Sequence, residues 1–206
     1  MTTSAHHAAP PDSPSGGAAT SASAGLDLSD VSSPHSSRNL IGRVAWGVVY
    51  RLLFRPSPRP LRGWRNFLLR LFGAKIDRTA NIYPKAKIWA PWNLTMGRHS
   101  CLADDVDCYC VAAIDIGDHC VVSQYSYLCG ATHDHTLPTM PLRPMPIVIG
   151  SQAWIAADVF VGPGVTIGEG TVVGARSTVV GDLPAWKICV GNPAKPIKDR
   201  VIRNTE

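Results

Sequence analysis

From Ile149 to Val179 an aliphatic residue returns at every sixth position: Ile149, Ile155, Val161, Ile167, Val173 and Val179. Gly or Ala follows it in five of the six units, and a small or β-branched residue stands four places after it at Ala153, Val159, Val165, Thr171 and Ser177. This period is neither that of an α-helix nor that of an alternating strand. It predicts a solenoid, in which each short strand and its turn form one unit and stacked units share a continuous core.

The same period runs earlier in the chain, with punctuation. Ile76, Ile82 and Ile88 are followed, after two extra residues, by Met96, Leu102 and Cys108, and after two more by Ile116, Val122 and Leu128. Three hexads therefore close one coil, and coils begin at 76, 96 and 116. After Leu128 the pattern stops. Residues 130–148, with Pro138, Pro141, Pro144 and Pro146, read as a loop before the period resumes at Ile149. The expected fold is an all-β solenoid over residues 76–190, a parallel β-helix of about five to six coils.

The flanks differ. Residues 1–37 are rich in Ala, Ser, Pro, Gly and Thr and read as a disordered tail. Residues 38–75 carry two helical patterns: Leu40, Ile41, Val44, Val48, Leu52 and Leu53 on one, Trp64, Phe67, Leu68, Leu71 and Phe72 on the other, with Gly73 as a C-terminal cap. Between Val31 and Ile76 there are nine basic and no acidic residues, so most of the net charge of +5 belongs here. Two readings of this basic segment stay open: packing on the solenoid as a cap, or peripheral contact of residues 40–72 with an anionic membrane. Nothing in the pattern reads as a nucleic-acid-binding fold. Residues 191–206 read as a turn followed by a short basic tail or terminal helix. Without a transmembrane stretch or a secretory signal pattern, a cytoplasmic location is expected, at most peripheral to the inner face of the membrane.

The six cysteines, Cys101, Cys108, Cys110, Cys120, Cys129 and Cys189, form no CxxC pair and fit reduced packing positions. His133 stands where the regular coil gives way to the inserted loop. A neutral imidazole there can take a proton from an attacking hydroxyl, and an adjacent carboxylate or carbonyl, with Asp134 the candidate, can fix its tautomer. A surface histidine is the competing reading. His135, and the pair His99 and His119 twenty residues apart, raise a metal site as a rival, though without an evident third ligand. Lys195 and Lys198 can meet phosphates or stay solvated. Trp154 replaces a polar residue of its hexad and can cover an apolar ligand or fill a groove between subunits. The amides of Ala157 and Ala175 follow small residues at coil corners, where a ligand can approach the main chain.

Several segments together carry a resemblance: Leu71-Phe72-Gly73-Ala74-Lys75, Ser123-Gln124, Leu128-Cys129, Thr132-His133-Asp134, Ala153-Trp154-Ile155-Ala156, Pro163-Gly164-Val165 and Gly191-Asn192-Pro193-Ala194-Lys195. Over residues 45–203 the chain resembles the hexapeptide-repeat acyltransferases, in particular the O-acetyltransferases of the colanic-acid-biosynthesis type. The resemblance implies a left-handed parallel β-helix that associates as a homotrimer. It also implies transfer of acetyl from acetyl-CoA to a saccharide hydroxyl, without a metal and without a covalent acyl-enzyme. His133 matches the general base. Trp154, Ala157 and Ala175 match positions that contact the pantetheine arm, and Lys195 and Lys198 match positions near the nucleotide phosphates. Two departures stand out. Related enzymes often carry Thr-Lys where this chain has Val180-Gly181, and Asp105 is the nearest counterpart of the acceptor-binding asparagine. The implied acceptor is a sugar of an exopolysaccharide precursor, free or lipid-linked. An antibiotic or a free small sugar is the rival acceptor, and a non-catalytic scaffold the rival function.

Overall fold

The computed structural model describes residues 25–29 and 35–203. The tail expected over residues 1–37 lies mostly outside the described residues. Within it, the Asp27 N–H donates to the Pro138 carbonyl at 3.0 Å, and Ser36 caps the first helix by accepting from the Asn39 N–H.

The repeat folds into a left-handed parallel β-helix of about six turns with three flat faces. The first face stacks Lys75–Ile76, Leu94–Met96, Ile114–Ile116, Ile147–Ile149 and Thr166–Ile167. The second stacks Asn81–Ile82, Cys101–Leu102, Val121–Val122, Trp154–Ile155, Val172–Val173 and Lys187–Gly191. The third stacks Lys87–Ile88, Asp107–Tyr109, Tyr127–Cys129, Phe160–Val161 and Thr178–Val179. The hexad residues pair in register, Ile76 with Met96, Met96 with Ile116, Ile149 with Ile167, and so form the inward columns the period predicts. Each fully buried aliphatic side chain adds about 1.5–3 kcal/mol of hydrophobic stabilisation. The stacking leaves little room at corners. A Cβ at Gly117 would lie 2.6 Å from the Ser151 nitrogen, which is why the residue after the aliphatic one is small.

The helical segment forms α1, Ser37–Val49, which continues as a π-helical turn over Tyr50–Phe54, and α2, Arg62–Leu71. Gly73 ends α2 at φ +88°, as a C-terminal glycine should. The segment closes the open end of the solenoid. On the first coil the N–H groups of Asp77, Tyr83 and Trp89 donate to the second coil, so the carbonyls of Ile76, Ile82 and Ile88 face outward from the stack. Each receives one side-chain donor from the helices: Arg70 Nε to Ile76 at 2.8 Å, Arg65 Nε to Ile82 at 2.6 Å, and Trp46 Nε1 to Ile88 at 2.7 Å. Asn66 Nδ2 adds a bond to the Ala80 carbonyl at 2.8 Å. A raw sheet edge is thereby satisfied group by group.

This capping corrects the wheel read from the sequence. Arg65, which falls off the apolar stripe of α2, is fully buried, whereas Trp64, Phe67 and Leu71 on that stripe are exposed. On α1 the buried residue is Trp46, and Leu40, Ile41, Val44 and Val48 face outward. Two further segments differ from expectation. Residues 130–148 contain an antiparallel hairpin, Ala131–His133 against Leu142–Pro144, rather than an unstructured loop. The chain end is a second hairpin, Lys187–Gly191 against Ala194–Asp199, which extends the second face and replaces the tail or helix expected there.

Candidate active site

The extra residues of the first two coils lie at one corner, between the third and first faces: Pro91–Asn93 fold there as a 3-10 turn, and Val111–Ala113 pass the same corner one coil on. The hairpin that carries His133 grows from this corner too. The Gly130 N–H donates to the Tyr109 carbonyl at 2.9 Å, and the Met145 N–H donates to the Gly130 carbonyl at 3.0 Å, which pins the base of the hairpin.

At the end of its strand His133 pairs with Leu142 and is exposed. Its Nδ1 lies 2.6 Å from the carbonyl oxygen of Met140. A carbonyl only accepts, so Nδ1 carries the proton and a neutral ring presents an unprotonated Nε2. The partner is therefore a main-chain carbonyl and not the adjacent carboxylate. Asp134 is engaged within the loop: its Oδ1 accepts from the Thr136 N–H at 3.1 Å and from the Thr136 hydroxyl at 2.6 Å, and its Oδ2 lies 3.5 Å from Arg143 Nη1. The Thr136 hydrogen bonds hold the Asp134 carboxyl below its usual value. Asp134 thus orders the tip of the hairpin. Asp134→Ala is expected to lower turnover no more than about tenfold, far less than loss of a general base. Steady-state kinetics check this, and a loss as large as that of His133→Ala would return the carboxylate to the catalytic group.

The other candidate residues gather elsewhere. Trp154 lies half-exposed on the second face, between Val121 and Val172, and its Nε1 donates to the Ser123 hydroxyl at 3.1 Å. Ala157 and Ala175 occupy the corner between the second and third faces on successive turns, tied by the Arg176 N–H donating to the Ala157 carbonyl at 3.0 Å. Lys195 and Lys198 are exposed on the outer strand of the terminal hairpin, opposite Val190 and Ile188. Asp105, at φ +61°, occupies the same corner as Ala157, three coils earlier than Ala175. The fold thus places Trp154, Ala157, Ala175, Lys195 and Lys198 along one face and its corner. It puts His133 at a different corner, and it does not bring Asp105 to His133 within one chain. Val180 and Gly181 are exposed on the corner that carries the His133 hairpin. His99 and His119 stack at 5.1 Å, and no group of three or more possible metal ligands occurs among the described residues.

Sequence and structure comparisons agree with this architecture. Residues 146–181 match the family described as Bacterial transferase hexapeptide (six repeats). The chain belongs to the hexapeptide-repeat acetyltransferases, a class defined by this β-helix and its corner loops. It is similar to WcaF of Escherichia coli (strain K12), named as a colanic acid biosynthesis acetyltransferase, with 51% identity over 177 residues, 85% of this chain and 97% of the relative. Among solved structures, a maltose O-acetyltransferase from Clostridium difficile 630 is 27% identical with a TM-score of 0.73, covering 81% of this chain and 90% of that one. A hexapeptide-repeat acetyltransferase from Vibrio cholerae, solved with acetyl coenzyme A, is 26% identical with a TM-score of 0.73, covering 82% and 93%.

Proposed function

We propose that the chain transfers acetyl from acetyl-CoA to a sugar hydroxyl of an exopolysaccharide precursor, with His133 as general base. The observation that carries this reading is the 2.6 Å contact from His133 Nδ1 to the Met140 carbonyl, which leaves Nε2 ready to accept a proton. Nε2 takes the proton of the acceptor hydroxyl as its oxygen attacks the thioester carbonyl. The carbon–sulfur bond breaks, the thiolate of CoA leaves, and the proton held by His133 goes to it. A main-chain N–H facing the developing oxyanion lowers the barrier. Burial pushes the Cys101 thiol up to about 11 and raises those of Cys120 and Cys189, so these three stay protonated near neutral pH and make poor nucleophiles.

The cofactor reading follows from the second face. Trp154 and the corner amides of Ala157 and Ala175 form a wall for the pantetheine arm, and Lys195 and Lys198 meet the nucleotide phosphates at its end. Because His133 and this wall occupy different corners of one protomer, a complete site needs a neighbouring copy. A homotrimer supplies three such grooves. Asp105 would then meet the acceptor across the subunit boundary. The saccharide assignment draws on the named roles of the relatives, which concern colanic acid biosynthesis and maltose.

The test is acetyl-CoA turnover against free sugars, lipid-linked saccharides and aminated acceptors, combined with calorimetry for acetyl-CoA. Saccharide-dependent release of CoA is expected, with ester products. An aminated acceptor preferred over every sugar would overturn the acceptor, and absence of acetyl-CoA binding would leave a scaffold. Trp154→Ala is expected to raise KM for acetyl-CoA about tenfold, from loss of an apolar contact of about 1.4 kcal/mol, with kcat little changed. An unchanged KM would remove Trp154 from the cofactor wall.

A further inference from the structure

The helical cap has two apolar sides, and the solenoid uses only one. Trp46 and Phe54 face the core, yet Ile41, Val44, Val48 and Leu52, which recur at three- and four-residue steps and so share one face, are each more than half exposed. On α2, Trp64, Phe67 and Leu71 form a second exposed stripe. The two stripes belong to one surface. Trp64 Nε1 donates to the Leu53 carbonyl at 3.1 Å at one end, and Ile41 and Leu71 line the same cleft at the other. A helix that is apolar on both sides is normally covered on both.

The charges around this surface select the cover. Arg51, Arg55 and Arg62 are exposed, and the only ion pair of the segment among the described residues joins Arg59 to Asp104. At the flank of α1 a cavity is lined by Arg43, Arg51, Arg55, Tyr50 and Trp89, with Arg43 stacked 4.3 Å over the Trp89 ring; its one acidic residue, Asp107, is paired with Lys87 at 3.5 Å and leaves the three arginines uncompensated. A second copy docked face to face would bring these arginines against their own counterparts, with no acidic residue between Val31 and Ile76 to offset them. The first 24 residues hold no Leu, Ile, Val or aromatic side chain with which to cover the stripes. An anionic lipid surface meets both requirements: apolar stripes with a tryptophan enter the interface, and the arginines extend to the phosphates.

The geometry points to the outer face of α1 and α2 as a peripheral docking surface for an anionic phospholipid bilayer, with headgroup phosphates held by the arginines at its flank. This docking does not depend on the chemistry at His133. The experiment is co-sedimentation of the full chain with vesicles of phosphatidylcholine alone or mixed with phosphatidylglycerol. The chain is expected to pellet with the mixed vesicles and stay in the supernatant with phosphatidylcholine. Trp64→Ser with Phe67→Ser, and separately Arg51→Glu with Arg55→Glu, should each cut the bound fraction about tenfold or more. Both variants alter exposed side chains, so their circular dichroism and their turnover of acetyl-CoA on a soluble acceptor should be unchanged. Equal recovery in the supernatant with both kinds of vesicle overturns the proposal. So does a Trp64→Ser, Phe67→Ser variant that still binds vesicles fully but loses a self-associated species in ultracentrifugation, because the cover would then be a second copy.

Discussion

Replacing His133 with Ala is expected to lower kcat by about 10²- to 10⁴-fold while KM for acetyl-CoA stays within about twofold. The split follows from placement. His133 stands on the corner hairpin, whereas the residues proposed to hold the cofactor line the second face and its corner, so truncating the imidazole removes the proposed proton acceptor and leaves the proposed cofactor wall intact. His133→Gln is expected to fail nearly as badly, since an amide can bond the Met140 carbonyl but cannot take a proton at neutral pH. Exogenous imidazole should restore part of the Ala variant's rate and none of the Gln variant's, because only the Ala variant leaves space for it. Turnover near the parent rate in His133→Ala would remove the histidine from the chemistry, whatever the acceptor proves to be.

Arg65→Met is expected to cost about 3 kcal/mol or more of stability. Met matches much of the side-chain volume, so the loss measures polar contacts and not a cavity. Arg65 is fully buried and donates to the Ile82 carbonyl at 2.6 Å, the Ser57 hydroxyl at 3.1 Å, the Pro58 carbonyl at 2.7 Å and the Arg59 carbonyl at 2.7 Å. Each buried acceptor left without a donor costs about 1–3 kcal/mol, and the gain from no longer burying a charge offsets part of that sum. Burial lowers the Arg65 pKa, but the group stays charged at any pH relevant to the fold. Lys should not substitute, because one ammonium cannot reach carbonyls on both α2's approach and the first coil. Urea unfolding of the two variants beside the parent gives the comparison. A change below about 0.5 kcal/mol would mean that the cap is held by its apolar contacts alone.

The inward columns were legible because a solenoid repeats its physical problem: each of Ile76, Met96, Ile116 and Ile149 meets the same neighbours, so the same kind of residue recurs. The cap was not legible in this way. Arg65 and Arg70 look like solvated charges on a wheel, since nothing local announces three unpaired carbonyls on a coil that follows in the sequence. The partner of His133 was hidden for a related reason. A main-chain carbonyl, here that of Met140 at φ +42°, has no residue type to mark it, so the neighbouring Asp134 drew the inference instead. Prolines concealed both hairpins. Pro144 and Pro196 sit on edge strands, where a missing N–H is tolerated, but in sequence they read as breaks.

The corner that holds His133 separates two kinds of change. Ile116 and Ile149 pair directly although they lie 33 positions apart, against 20 between the earlier coils and 18 between the later ones, so the excursion leaves the ladder's register untouched. Closing a longer loop costs only about 0.6 kcal/mol for each doubling of its length. Such a corner can be lengthened, shortened or exchanged while every inward column stays as it is. The frame and the hairpin are thus mechanically separate: what the excursion does is set by its own residues, and the stacked columns do not have to be rebuilt for it to change.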